Sequence, residues 1–264
     1  MHGLMLLWQF FTLSLRTQLQ YRISFFLLTL SQFVSTFVDI LAIWVLFDRF
    51  KTLQGWSLPE LCLIYGIIHM GFAIAESCAR GFDHFAQMIR YGDFDRVLLR
   101  PISTIFQVAV YEIQFMRIAR FFQGLVVLLY GAHALHFSLF SLNALVIMFS
   151  IFGTASLFYG LFVIQAAVSF WTVESLEVMN ITTFGGLQTG QYPISIYSKP
   201  FRLIFTFLIP LACVGYYPIA VLLHKNDTLP LWIGVLTPVF GFAFLLISFQ
   251  LWHLGVRHYR STGN

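Results

Sequence analysis

The chain has 264 residues, of which 59% are hydrophobic, 18% aromatic and only 10% charged, with a mean hydropathy of +0.81 and a formal charge of +4. A soluble domain carries about 25% charged residues, so this composition excludes one and requires an all-α integral membrane protein. The length provides for about six helices of roughly 20 residues in a single transmembrane domain over 1–264, with no stretch left for a soluble catalytic domain.

Residues 2–21 place Leu4, Leu7, Trp8, Phe11, Leu15 and Leu19 at helical spacing against Gln9, Thr12, Arg16 and Gln20. This pattern predicts an amphipathic helix lying in the membrane interface, and nothing in it resembles a cleavable signal. Span one follows at about 23–47, closed by Asp48, Arg49 and Lys51. Span two, about 58–78, opens on Ser57-Leu58-Pro59-Glu60, where Ser57 caps, Pro59 suits the first turn and Glu60 faces the positive helix end. Span three lies within 103–130, interrupted by Glu112, Arg117 and Arg120, and span four runs over about 142–170. The segment 171–200 is more polar, with Glu174 and Glu177 early and Gly185, Gly186 and Gly190 later, and is expected to be cytoplasmic or interfacial without a continuous helix. Spans five and six are predicted at 201–223 and 229–254. The two halves show no sequence repeat, which argues against an inverted-repeat secondary transporter.

Between spans two and three lies a charged island, RGFDHFAQMIRYGDFDRVLLRP (80–101), holding seven of the 26 charged residues in the chain. Phe82, Phe85, Met88 and Ile89 share one face of a short helix that Gly92 interrupts, and Phe94, Val97 and Leu98 form a second apolar cluster. With the N-terminus inside, ten Lys and Arg fall on inner segments and three on outer loops, which places both termini and the island in the cytoplasm. The pI near 9.1 therefore reflects topology rather than nucleic-acid binding. Phe82, Phe85, Phe94, Val97 and Leu98 ringed by charge fit an anchor-and-rim docking surface for a soluble partner; an ordinary loop touching anionic lipid is the alternative.

Phosphate-binding, nucleophile-elbow and HExxH patterns are missing, since none of Lys51, Lys199 and Lys225 follows a glycine, so the energy for any transport must come from a partner or an ion gradient. Cys62, Cys78 and Cys213 form no ligand or disulfide pattern, and His133 with His136 at an outer turn is read as interfacial polarity rather than a metal pair. Ser31, Gln32, Ser35, Thr36 and Asp39 form one polar stripe on span one, which lines either a substrate path or a contact with another helix. Glu112 with Arg117 and Arg120 is expected to be a structural ion pair, and Glu76 to pair with Arg80 one turn on.

GDFDRVLLRPIS with Gln107, Phe170-Trp171 through Glu174, and GQYPISIYSKPFRLIFTFLIPLACVGYYPIAVLL together resemble the bacterial type-2 ATP-binding-cassette exporter permeases, over nearly the whole chain and in the right order. The resemblance implies six transmembrane helices, an N-terminal interface helix and a cytoplasmic coupling helix at about 82–100, in the inner membrane. It implies a cytoplasmic ATPase subunit in two copies, which holds ATP and Mg while this chain holds no cofactor, and a second permease chain, identical or related, in membrane lipid. On that basis Asp93, Asp95, Arg96 and Arg100 are the expected polar contacts to the ATPase, with Phe94 and Leu98 as anchors. The resemblance implies export of an amphipathic cargo, a drug, peptide, lipid or glycan, without choosing among them. The competing readings are a gradient-driven transporter using Asp39 and a lipid-modifying enzyme using Asp83, His84 and Asp93.

Overall fold

The computed structural model describes residues 12–138, 141–172, 176–225 and 230–261, and all regular structure among them is helical. Residues 2–11 of the expected interface helix, Glu174 and Leu229 lie outside the described residues. Helix α1 covers 12–20, and α2 (Arg22–Phe50) follows after one residue. The hub of the molecule is α3 (Leu58–Ala79), in which sixteen of 22 residues are buried, against three of 29 in α2. Its start carries the expected capping box, with the Ser57 amide donating to Glu60 Oε2 at 2.7 Å.

The island folds as a 3-10 turn (Arg80–His84), α4 (Phe85–Arg90) and α5 (Asp93–Leu98). Gly92 joins α4 to α5 at φ 73°, a left-handed geometry that a side chain would strain. Next comes α6 (Thr104–Ala109), separated by an irregular segment and a 3-10 turn (Phe115–Arg117) from α7 (Ile118–Ala134). The third span runs over Phe115–Ala134, starting inside the stretch expected from the sequence and ending four residues beyond it, and Arg117 and Arg120 lie inside it.

Small residues set the packing. Gly66 of α3 meets Gly124 and Leu128 of α7, while Gly131 of α7 meets Pro59 and Cys62, so the two helices run antiparallel at close range. On its other flank α3 runs parallel to α8 (Leu142–Val168), with Gly71 against Thr154 and Ala155. Helix α14 (Val239–His258) is likewise parallel to α8, since Gly153 meets Gly241 and Gly160 meets Leu245. The C-terminal ends of α3, α8 and α14 thus gather at the island, together with the start of α7.

Two expectations are corrected. First, the segment 171–200 contains a continuous helix, α9 (Leu176–Gly190), despite its three glycines. It packs on α3 and α8, where Gly186 faces Phe158 and Gly190 accommodates Leu211. Second, the fifth span is broken. Lys199–Leu208, which comprises α10 (Lys199–Leu203) and a π turn (Ile204–Leu208), meets Leu211–Leu222 at 72°. Ile209-Pro210 is the cause, because Pro210 lacks an amide donor and forces its predecessor out of helical geometry. The second arm, α11 (Leu211–Val214) and α12 (Tyr216–Leu222), rises along α3 from Ile68 to Glu60, which pairs with Lys225 at 2.6 Å. The last span runs over Trp232–His258 and joins α13 (Leu231–Leu236) to α14. Among the described residues five helices are long and apolar enough to cross a membrane, and the bent pair would make a sixth.

Candidate functional site

The island sits on an aromatic cluster built from the ends of α8 and α14. Phe85 packs against Trp252 (centroids 4.7 Å apart), Phe94 and Phe170 (both 5.0 Å), and Phe94 lies edge-on to Tyr259 at 5.0 Å. Phe82 adds an edge contact to Trp252 at 5.7 Å. Edge-to-face stacking of this kind adds about 0.5–1.5 kcal/mol per pair beyond burial. The indole of Trp252 donates to Thr104 Oγ1 at 3.0 Å, which satisfies the one polar atom of a fully buried side chain.

Asp95 accepts hydrogen bonds from Tyr259 Oη at 3.0 Å and Ser261 Oγ at 2.6 Å, so it clamps the C-terminal segment to α5. Burial, and then the carboxylate to which it donates, push the Tyr259 phenol up to about 12. Gln107 donates to the carbonyls of Val97 (3.0 Å) and Ile102 (2.9 Å), tying α5 to α6. Arg80 pairs with Asp83, which also accepts from Gln165 Nε2 at 3.0 Å, anchoring the 3-10 turn to α8.

These contacts turn three of the expected anchors inward. Phe82, Phe85 and Phe94 are 1%, 0% and 0% exposed and serve the core of this chain, so they offer no surface to a partner. Asp95 is largely engaged with the C-terminal segment. Outward the island presents Arg90, Tyr91, Asp93, Arg96, Leu98, Leu99 and Arg100, which include the expected Asp93, Arg96, Leu98 and Arg100, with Leu99 85% exposed. Arg96 and Asp93 are 3.5 Å apart with both side chains largely in solvent.

The polar stripe of α2 divides. Ser31 and Ser35 are exposed, whereas Gln32, Thr36 and Asp39 turn inward. Gln32 accepts from Arg117 Nη1 at 2.6 Å and donates to Thr36 at 3.3 Å. Asp39 takes a hydrogen bond from Gln188 of α9. Gln188 accepts from Gln191 at 2.7 Å, and Gln191 accepts from His69 Nε2 at 3.0 Å. Every donor in this chain of side chains points toward the Asp39 carboxylate, and it joins α2, α3 and α9 near the middle of α3.

Nearer the island lies a buried charge cluster. Glu76, 0% exposed, pairs with Arg120 Nη1 at 2.6 Å and Arg117 Nη2 at 3.4 Å. Arg120 also lies over the Phe72 ring at 5.0 Å. The expected Glu76–Arg80 pair does not form, because Arg80 is engaged by Asp83. Nor does Glu112 serve Arg117 and Arg120: it pairs with His84 at 2.6 Å and accepts from Gln114. Sequence reasoning missed both the Glu76 cluster and the role of His69 and Gln188. The available signal was depth, since Glu76 near the end of one span and Arg120 near the start of the next meet when neighbouring spans run antiparallel.

The sequence profile described as ABC-2 family transporter protein matches residues 33–263. The chain belongs to this family. Neither the curated proteins nor the solved structures give a match. The family's transporters have a membrane subunit of this kind, generally non-catalytic and working with an ATPase, and the ABC-2 chain described here is a multi-helix membrane subunit.

Proposed function

We propose that this ABC-2 chain is the permease subunit of an exporter for an amphipathic cargo, driven by a separate cytoplasmic ATPase that docks on the island. In this reading the ATPase is present in two copies and carries ATP and Mg, and the permease works with a second permease chain, identical or related. The island end faces the cytoplasm of a bacterial inner membrane. The docking face is Tyr91, Asp93, Arg96, Leu98, Leu99 and Arg100, an apolar pair of leucines beside mixed charge.

The observation that carries this reading is the seating of the island. Its outer face is free, while its inner face is keyed through Phe85, Phe94 and Trp252 to the ends of α8 and α14. A push on the outer face is therefore delivered to two parallel spans through a close-packed cluster that does not deform continuously. A loop that only fixed topology would have no need of three fully buried aromatic side chains.

The test is co-purification of the tagged full chain from its native membranes in mild detergent, with bound proteins identified and ATP hydrolysis measured. A soluble ATPase is expected with the wild type and lost with Arg96→Glu/Leu99→Asp, both exposed positions whose change leaves the core intact. Retention of the ATPase by that variant refutes the docking face. A chain that purifies alone under several mild conditions refutes the reading as a whole.

A further inference from the structure

A cavity of about 920 Å³ opens beside the charge cluster, walled by Ala73 and Ile74 of α3, Ile105 and Phe106 of α6, Phe121 of α7 and Phe249 of α14. It is overwhelmingly apolar, and Cys78, Ser103, Ile118 and His253 on its rim are exposed, so it communicates with the surroundings. Its depth matches the last two turns of α3, which places it in the leaflet nearer the island. The volume suits a large hydrophobic ligand, at the upper end of the roughly 300–1,000 Å³ usual for such sites.

One wall of this apolar space is cationic. Arg117 lines the cavity and shares its ion-pair partner Glu76 with Arg120, which lies closer (2.6 Å against 3.4 Å). Two guanidinium groups thus share one carboxylate, an excess of one positive charge within this trio. Glu112, the nearest carboxylate along the chain, is hydrogen-bonded to His84 and Gln114. Arg117 has five N–H donors; two are hydrogen-bonded, to Gln114 Oε1 (3.0 Å) and Gln32 Oε1 (2.6 Å), and Nη2 lies 3.4 Å from Glu76 Oε1 as an ion pair. Donors therefore remain for an anion. A guanidinium at membrane depth that shares its carboxylate with a second arginine is only partly compensated, so the site suits a partner with one negative charge and an apolar body.

We propose that this cavity binds a singly charged anionic phospholipid of the island-side leaflet, with the acyl chains against Ala73, Phe106 and Phe249 and the phosphate on Arg117. Both lipid classes offer phosphate oxygens to a guanidinium, but in a zwitterionic headgroup the lipid's own cation competes for them, whereas an anionic headgroup leaves its charge to Arg117. The site is independent of the ATPase face. It stands between α3, α6, α7 and α14, so occupancy braces the start of α7 against the last turns of α3.

The test uses the full chain, purified and delipidated in detergent, with dioleoylphosphatidylglycerol as probe and dioleoylphosphatidylcholine as the control with identical chains. Thermal unfolding and native mass spectrometry are expected to show stabilisation and a retained lipid with phosphatidylglycerol only. Arg117→Gln leaves Glu76 paired with Arg120, so the chain keeps a neutral buried pair, and its affinity for phosphatidylglycerol is expected to fall roughly tenfold or more. Arg117→Lys is expected to keep most of the preference. Equal responses to the two lipids, or an undiminished response in Arg117→Gln, would overturn the proposal. A variant-free arm uses phosphatidylglycerol with a diazirine on the acyl chain. Crosslinks within 73–78 and 105–121 are expected, and crosslinks confined to the exposed face of α2 would overturn the site even if Arg117→Gln failed to fold.

Discussion

Glu76→Gln is the substitution for which sequence spacing and three-dimensional structure forecast different outcomes. If Glu76 served Arg80 at a helix end, its loss would cost about 0.5 kcal/mol, as for an exposed pair one turn apart. In the structure the carboxylate is fully buried between two guanidinium groups, and amide substitution strands both. Removing one partner of a buried pair costs about 3–5 kcal/mol, because the remaining charge stays desolvated without compensation. Arg80→Gln, which touches only the partly exposed pair with Asp83, is expected to cost no more than about 1 kcal/mol.

A double-mutant cycle sharpens the claim. Arg120→Met alone leaves Glu76 with Arg117 and removes one charged hydrogen bond, for about 1.5–3 kcal/mol. The pair Glu76→Gln/Arg120→Met strands one guanidinium instead of two, so its cost should fall short of the sum by about 1–3 kcal/mol. Unfolding titrations of the purified chain in mixed micelles with SDS measure all four forms. If Glu76→Gln costs less than 1 kcal/mol, as low as the estimate for Arg80→Gln, or the double variant is additive, the buried cluster is not what stabilises this end of α3 and the reasoning fails.

Trp252→Ala is expected to cost about 3–5 kcal/mol and to uncouple the island from α14, seen as lost ATP-dependent transport with the ATPase still bound. At Gly81 a methyl group would run into the backbone carbonyl of Val108, so Gly81→Ala should cost about 1–3 kcal/mol and speed proteolysis of the island; unchanged cleavage would count against the close fit. Tyr259→Phe removes one of the two hydrogen bonds that Asp95 receives from the C-terminal segment, and faster tryptic cleavage at Arg260 is the expected sign. Asp39→Asn can still accept from Gln188, and transport is expected to continue; its abolition with ATP present would mark Asp39 as an ion site.

How much of this was legible from sequence depends on whether the deciding contact is local. Ser57 and Glu60 act within one turn, and the capping box read from their spacing is present as drawn. Gly185, Gly186 and Gly190 carry a local penalty that predicts a break, yet α9 is continuous to Gly190, because Gly186 and Gly190 admit Phe158 and Leu211 from other elements. Glu76 has a well-spaced local candidate in Arg80, whereas its true partner Arg120 is 44 residues away and is brought close only by the antiparallel packing of α3 on α7. Pro210 was visible, but a proline inside a 23-residue apolar stretch does not reveal by how much the chain turns. Asp39 and Gln188 show no sequence relation, and α9 itself had to be recognised before they could meet.

The island shows why an apolar face on a charged loop is ambiguous from sequence, and how packing resolves it. Phe82, Phe85 and Phe94 have the periodicity of anchors for a partner, but a loop that must transmit force needs the same periodicity toward its own spans. Both demands cannot fall on one face, and burial assigns the phenylalanines to the inner one. That leaves Leu98 and Leu99 outward, the pair next to Pro101, where helix α5 stops and the chain turns toward α6. Docking then depends on residues whose loss barely perturbs the fold, and transmission depends on residues whose loss does. The two functions separate by experiment along that line: Arg96→Glu/Leu99→Asp should lose the ATPase and keep stability, and Trp252→Ala the reverse.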